Sequence, residues 1–249
     1  MMRVSLSEKQ DVMIVMSLAR QNVRKDVNLL DIVGPIMVGP SSSHTAGAAR
    51  IGNVCRRLLG EKVRNADIFL HGSFLSTGRG HGTDKAIVAG LLGLAVDDMN
   101  IPHSFEMAKD QNMTFSISGI DLGDVNPNSV KMRLTGVTGK KLEVVAASIG
   151  GGRIQVCELD GIAVNFSGEY PTLVVYILDQ PGRVTEITSM LGHKSINIAT
   201  MQSYRTSRGG KAVVVLECDQ EVPKEDVEWL GQLKGVLKVS YLSMLEHKF

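Results

Sequence analysis

The sequence predicts an α+β chain of two domains: a mixed α/β N-terminal domain followed by a smaller βαββαβ domain. Three observations predict it. A length of 249 residues with 43% hydrophobic side chains is ample for two cores. Residues 129 to 168 read as a meander of short strands separated by glycine turns. Beyond "SGEYP", residues 167 to 171, strand and helix patterns follow in the order β, α, β, β, α, β. The expected divisions are a leader over 1–27, a first domain over 28–167 and a second over 168–249.

Composition excludes several classes of function. The formal charge of +1 gives no electrostatic basis for a nucleic-acid or membrane-surface partner, and 4% aromatics argue against base-stacking platforms. Cys55, Cys157 and Cys218 are scattered, odd in number and outside any C-x-x-C pair, so each reads as a small hydrophobe and the chain as cytoplasmic, in a reducing compartment. The run "DVMIVMSLAR", residues 11 to 20, begins with an acid, lacks a small-residue cleavage site and is too short to span a bilayer.

The first domain opens on the apolar run "LLDIVGPIMVG". After it comes "GPSSSHTAG", residues 39 to 47, and then a helical pattern. On that helix Ile51, Val54, Cys55, Leu58 and Leu59 share one face, Arg50, Asn53, Arg56 and Arg57 the other, and Gly60 ends it. "ADIFLHGS" reads as a strand, "FLSTGRGHGTD" as a glycine-rich loop and "DKAIVAGLLGLAV" as a buried helix closed by Asp97 and Asp98. "IPHSFEMAKDQN" reads as another helix and "MTFSISGI" as a strand. The turn "SIGGGRI", residues 148 to 154, calls for positive φ or a close backbone approach at its glycines, and serves either as a plain hairpin or as a binding loop.

Two segments carry chemistry. One serine before a helix is explained by capping, but Ser41, Ser42, Ser43, His44 and Thr45 together are not. The surplus hydroxyls are exposed, held against the backbone or aimed at a ligand, and a helix N-terminus lined with hydroxyls suits a carboxylate or phosphate. The second segment, "GRGHGTDKA", places His81, Thr83 and Asp84 before another helix; Asp84 either orients a histidine or only caps. Neither a G-K-[ST] phosphate loop nor a G-x-G-x-x-G fingerprint is present. If the two segments face each other, they form one polar pocket.

In the second domain "TLVVYIL" is a strand, and "DQPGRVTEITSMLGHKS" is a turn into a helix with Asp179 as N-cap and Pro181 in the first turn. "INIATMQSYRTS" and "KAVVVLECD" are strands about an "RGG" turn, "PKEDVEWLGQLKG" is a helix, and "VLKVSYLSM" is the last strand. The order is ferredoxin-like. The pattern of Asp179, Pro181 and Gly182, then Gly192, then Asn197 and Ile198 resembles the ACT domain. That resemblance implies an amino-acid-binding regulatory module with Asp179, Pro181, Gly182, Asn197 and Ile198 at the ligand, and self-association of the chain through this domain. A purely structural dimerisation module stays open beside it.

"DIVGPIMVGPSSSHTAGAARIG", "GSFLSTGRGHGTDKAI" and "SIGGGRI" resemble the beta subunit of iron–sulfur-dependent L-serine dehydratases (L-serine ammonia-lyases). The resemblance runs from about Asn28 to the end. It implies a lyase that converts L-serine to pyruvate and ammonia on a [4Fe-4S] cluster, whose open iron acts as a Lewis acid on the β-hydroxyl. It also implies that the cluster cysteines belong to an alpha subunit, so that this chain holds no metal and is half of an enzyme. By the same resemblance His44 and His81 are acid–base or orienting groups, and Ser41, Ser42, Ser43, Thr45, Thr83 and Asp84 contact substrate. Two departures stand out: "NPN" puts Asn126 where relatives often carry histidine, and the leader 1–27 lies outside the family pattern. A non-catalytic amino-acid sensor is the alternative. A fragment of a serine-pathway dehydrogenase is a third reading, opposed by the missing dinucleotide fingerprint.

Overall fold

The computed structural model describes residues 36–244, all within one compact unit. The leader 1–27, with the run 11–20, lies outside the described residues. The first element among the described residues is a π-helical turn, Ser42–Gly47, continuous with α1 (Ala48–Leu59) and followed by β1 (Val63–Leu70). Next come α2 (Gly72–Ser76), α3 (Gly78–His81), α4 (Thr83–Leu92), a 3-10 turn (Ile101–His103), α5 (Ser104–Asp110) and β2 (Thr114–Gly119). The meander follows as β3 (Ser129–Gly136), β4 (Lys141–Gly150), β5 (Arg153–Leu159) and β6 (Ile162–Phe166). The last six elements are β7 (Thr172–Leu178), α6 (Arg183–His193), β8 (Ile198–Arg205), β9 (Lys211–Cys218), α7 (Lys224–Gln232) and β10 (Val236–Leu242).

These elements form a mixed α/β layer and a ferredoxin-like domain. The first sheet has six strands in the order β2-β1-β3-β4-β5-β6. Only β1 and β2 are parallel, Ala66 facing Phe115, because the four helices between them supply the crossover. The meander pairs antiparallel, and the β4–β5 turn puts Gly150, Gly151 and Gly152 at φ 97°, 62° and 74°, a run of left-handed backbone open to glycine alone. The second sheet is antiparallel, in the order β10-β7-β9-β8.

The apolar run "TLVVYIL" is continuous because both faces of β7 are covered. Leu173, Val175 and Ile177 pack with Ile187, Leu191 and Leu230 of the two helices behind the second sheet. Val174 and Tyr176 point the other way and join the core of the first sheet. The period of two thus gives one strand to two cores, the pattern of a strand buried on both sides. Among the described residues no helix is long and apolar enough to cross a membrane.

The helix α1 packs on α4 through glycine. A Cβ built on Gly90 would lie 2.0 Å from the Ala49 carbonyl oxygen, and one on Gly52 would lie 2.3 Å from the Ile87 carbonyl oxygen. Backbones this close let Arg56 reach across and donate to the Leu91 carbonyl at 3.1 Å. Arg56 is therefore buried, where the face pattern placed it with the solvated residues, and burial pulls its pKa below the usual arginine value. The helix α4 also ends sooner than its apolar pattern suggests: Gly93 takes the left-handed conformation at φ 91° and stops it, well before Asp97.

Candidate functional site

Glycine contacts pack α1 on α4, and the candidate site lies near the starts of these two helices. Ser41 is the N-cap: its backbone is extended, and its Oγ accepts the His44 N–H at 3.0 Å. Capping is thus answered by one serine. Ser42 and Ser43 are half-buried on the π-helical turn, a rare geometry that recurs at functional positions. Thr45 is 2% exposed and donates its hydroxyl hydrogen to the His81 carbonyl at 2.9 Å. Gly39, at φ 115°, backs onto Thr45: a Cβ there would lie 2.5 Å from the threonine methyl. Thr45 is therefore a strut between the two segments, the backbone-held alternative among those the surplus hydroxyls left open.

The second wall is helical, not the loop that its glycines suggest. The turns α2 and α3 meet at Thr77, and Ser73, Thr77 and His81, each four residues apart, fall on one face. The entry to this wall is held by the loop at Asn126. The Asn126 Oδ1 accepts the Asn128 N–H at 2.8 Å, and the Pro127 carbonyl accepts the Ser73 N–H at 2.7 Å. Gly72, at φ 53°, presses on that proline; a Cβ would lie 2.7 Å from the Pro127 oxygen. Asn126 thus builds the turn that seats Ser73.

The two histidines face each other, ring centroids 4.8 Å apart and planes inclined by 39°. The His44 Nε2 lies 3.0 Å from the Ser73 Oγ and 3.1 Å from the Thr77 Oγ1, and its Nδ1 lies 3.5 Å from the Ser41 Oγ. The Phe74 ring meets His44 edge-on at 5.5 Å. Partial burial, and next the adjacent His81 ring, hold His44 below the ordinary histidine value, against a hydrogen bond to the Ser73 backbone that raises it. His44 is a neutral imidazole near pH 7 as a result. The His81 Nδ1 lies 3.1 Å from the Thr77 carbonyl oxygen. A carbonyl only accepts, so neutral His81 carries its hydrogen on Nδ1 and presents a bare Nε2.

The remaining expected residues fall less centrally. Thr83 is fully buried against Gly78, and its Oγ1 has no hydrogen-bond partner. Gly82 stands at the N-cap position of α4, left-handed at φ 67°; Thr83 and Asp84 lie inside the helix. The Asp84 Oδ1 accepts the Lys85 N–H at 2.8 Å. Four residues escaped the sequence reading: Ser73, Thr77, Asn128 and Ser148. The i, i+4 spacing of Ser73, Thr77 and His81 was the available signal, hidden by reading "FLSTGRGHGTD" as irregular. Ser148 is fully buried, its Oγ 2.2 Å from where a Gly47 Cβ would stand, and its N–H reaches the Asn128 carbonyl at 3.0 Å. The Ser148 Oγ and the Asn128 Oδ1 are buried without partners.

In the second domain α6 starts at Arg183, with Gly182 at its N-cap at φ 87° and open space where a Cβ would go. Asp179 and Pro181 therefore precede the helix and do not cap it. The Asp179 Oδ2 accepts the Gly209 N–H at 3.1 Å and an Arg205 guanidinium hydrogen at 3.2 Å, bonds that keep its carboxyl below the usual range. Asn197 donates to the Asp219 Oδ2 at 2.6 Å, and Ile198 opens β8. Among the described residues no group of three or more His, Cys, Asp or Glu is placed to hold a metal ion.

The family profile described as "Serine dehydratase beta chain" matches residues 29–119, and the "ACT domain" profile matches residues 172–235. The chain is 36% identical over 216 residues to the probable L-serine dehydratase beta chain of Bacillus subtilis, covering 87% of this chain and 98% of that one. It is 38% identical over 196 residues to the L-serine dehydratase beta chain of Peptoniphilus asaccharolyticus, covering 78% and 88%. A Bacillus subtilis D-3-phosphoglycerate dehydrogenase is 30% identical over 205 residues, 79% of this chain but 37% of the dehydrogenase. With the glycine-packed helices and the facing histidine segments both inside the matched span, the chain belongs to the family of serine dehydratase beta chains.

Proposed function

We propose that this chain is the beta subunit of an L-serine ammonia-lyase, forming pyruvate and ammonia together with an alpha subunit. The observation that carries the proposal is the pair of facing imidazoles, with His81 held through Nδ1 so that Nε2 is a bare proton acceptor. In this reading L-serine lies between the walls. Its carboxylate takes the hydroxyls of Ser42 and Ser43 at the positive end of the α1 helix. The His81 Nε2 would remove the α-proton and return it to the departing β-hydroxyl, which leaves as water; the resulting enamine tautomerises to an imine, which water hydrolyses to pyruvate and ammonia.

A [4Fe-4S] cluster does not fit this chain. Cys55 and Cys218 are buried, and burial raises both thiols, Cys218 to about 11; Cys157 is half-buried and also raised. They sit on three separate elements, α1, β9 and β5, and among the described residues no three potential ligands converge. This supports a reading in which the alpha subunit carries the cluster cysteines. The ACT domain supplies regulation by an amino acid near Gly182 and self-association.

The test is reconstitution. The chain alone, free of iron, is expected to form no pyruvate from L-serine. Anaerobic assembly with a cysteine-rich alpha chain and iron is expected to restore turnover. Strong pyruvate formation by the isolated, iron-free chain overturns the proposal.

A further inference from the structure

Thr77 touches both histidines, and it does so through two different groups. Its side-chain oxygen lies 3.1 Å from the His44 Nε2, while its main-chain carbonyl lies 3.1 Å from the His81 Nδ1. In the sequence only its i, i+4 spacing from Ser73 and His81 marks this residue.

The hydrogens can be counted. Thr77 has one hydroxyl hydrogen, and its Oγ1 lies 2.9 Å from the Ser73 carbonyl, which can only accept. The hydrogen goes there, the familiar bond from a threonine to the carbonyl four residues back. Toward His44 the Thr77 Oγ1 then offers only lone pairs, so the His44 Nε2 must bring the hydrogen. The Ser73 hydroxyl fits the same count: its oxygen lies 3.0 Å from that nitrogen and 3.3 Å from the Thr77 Oγ1, to which it can give its own hydrogen. On the far side of the ring the Ser41 Oγ already accepts the His44 N–H at 3.0 Å, and its hydrogen is free to point at the bare Nδ1. In this count every hydrogen finds an acceptor, the His44 Nε2–H being shared between the Thr77 Oγ1 and the Ser73 Oγ. The opposite tautomer of His44 would bring the lone pairs of Nε2 and the Thr77 Oγ1 together, or deprive the Ser73 carbonyl of its donor.

We infer that Thr77 is the positioning residue for both imidazoles, fixing His44 as the Nε2–H tautomer through its hydroxyl and His81 as the Nδ1–H tautomer through its carbonyl, with Ser73 as the second acceptor at His44. The assignment of tautomers stands on geometry; its catalytic meaning rests on the acid–base reading proposed above. The two rings are thereby made unlike. His81 keeps a bare Nε2, whereas the Nε2 of His44 is tied down as a donor and its bare Nδ1 lies 3.5 Å from the Ser41 Oγ. The partial burial that keeps His44 neutral serves the same division. Dividing the roles matters in a facing pair, since two free bases side by side would compete for one proton.

The test is nitrogen NMR on the full-length chain with 15N-labelled histidine, near neutral pH, on wild type, Thr77→Val and Thr77→Ser. The wild type is expected to show opposite tautomers, Nε2 protonated for His44 and Nδ1 protonated for His81. Thr77→Val keeps the carbonyl and the shape but not the hydroxyl, so the His44 signals should move to a tautomer mixture while those of His81 stay. Thr77→Ser should restore the wild-type pattern. In the assembled enzyme Thr77→Val should lower kcat by about 10- to 100-fold, as losses of orienting partners typically do, with little change in KM, and Thr77→Ser should recover it. Identical tautomers in the wild type overturn the inference, even if Thr77→Val fails to fold. So does a Thr77→Val chain that is folded and keeps the His44 pattern. Opposite tautomers together with full activity of His44 and His81 variants would instead contradict the catalytic reading and leave the tautomer assignment standing.

Discussion

His44 and His81 face each other at 4.8 Å between ring centroids, brought together by a hydrogen bond from Thr45, next in sequence to one, to the main chain of the other. The contact is set further down. The helices α1 and α4 run away from it with backbones in contact at Gly52 and Gly90. The site is thus a consequence of helix packing, and its perturbation should follow packing rules.

A methyl group at Gly90 cannot be accommodated, because its neighbours are the Ala49 carbonyl and the Asn53 amide, at 2.0 and 2.7 Å. Gly90→Ala is expected to destabilise the chain by about 1–3 kcal/mol, the usual range for overpacking. The control is Gly231→Ala in α7, where the added Cβ meets open space and the φ is not left-handed. It should stabilise by about 0.5–1 kcal/mol by removing backbone freedom. Urea unfolding of the two variants checks the difference in sign.

His44 makes stability depend on pH. Its folded pKa lies below the unfolded value of 6.5. Between those two values the unfolded chain binds more protons than the native chain, so stability rises with pH in that window. The contribution is fully present above 6.5 and is lost as pH falls toward the folded value. The melting temperature should therefore drop on acidification below 6.5, and His44→Gln should flatten that drop. Equal slopes in wild type and variant would remove His44 from the account.

The cysteines should behave as packing residues. Cys55 and Cys218 are buried, and Cys157 is half-buried with its thiol directed at the Gln155 carbonyl at 3.6 Å. Iodoacetamide is expected to modify Cys157 first and the other two only on unfolding. Cys157→Ser should leave the iron content of the assembled enzyme unchanged. Loss of iron in that variant would mean that the beta chain supplies a ligand.

An amino acid bound at the ACT domain should stabilise the chain. At 100 times its Kd a ligand adds about 2.7 kcal/mol, which is read as a rise in melting temperature. L-serine is the first to try. No shift with any amino acid at saturating concentration would leave the domain a purely structural one.

Much of this was legible from sequence because periodicity and glycine report on burial. The meander and the βαββαβ order emerge from short apolar runs and turn residues. "SSSHT" and "GRGHGTD" stood out as polar segments at helix starts. What escaped depended on three dimensions. Arg56 was placed in solvent by its helical face, yet the missing side chain of Gly52 lets α4 come close enough to cover it and accept its hydrogen bond. Whether Thr45 was exposed, held against the backbone or aimed at a ligand could not be read from sequence; packing against Gly39 and the bond to the His81 carbonyl decide it. Ser73 and Thr77 were hidden because three glycines near them read as a loop, whereas the chain closes two helical turns there and aligns them with His81. Asn126 looked like a missing histidine; in the structure it is the turn-former behind Ser73.

The most direct measurement is pyruvate formation from L-serine by the assembled enzyme carrying His81→Asn, with folding checked by circular dichroism and melting temperature. Loss of the general base should reduce kcat by about 10²- to 10⁴-fold while the protein stays folded and the iron content holds. A folded, iron-loaded His81→Asn enzyme turning over at the wild-type rate would contradict the account.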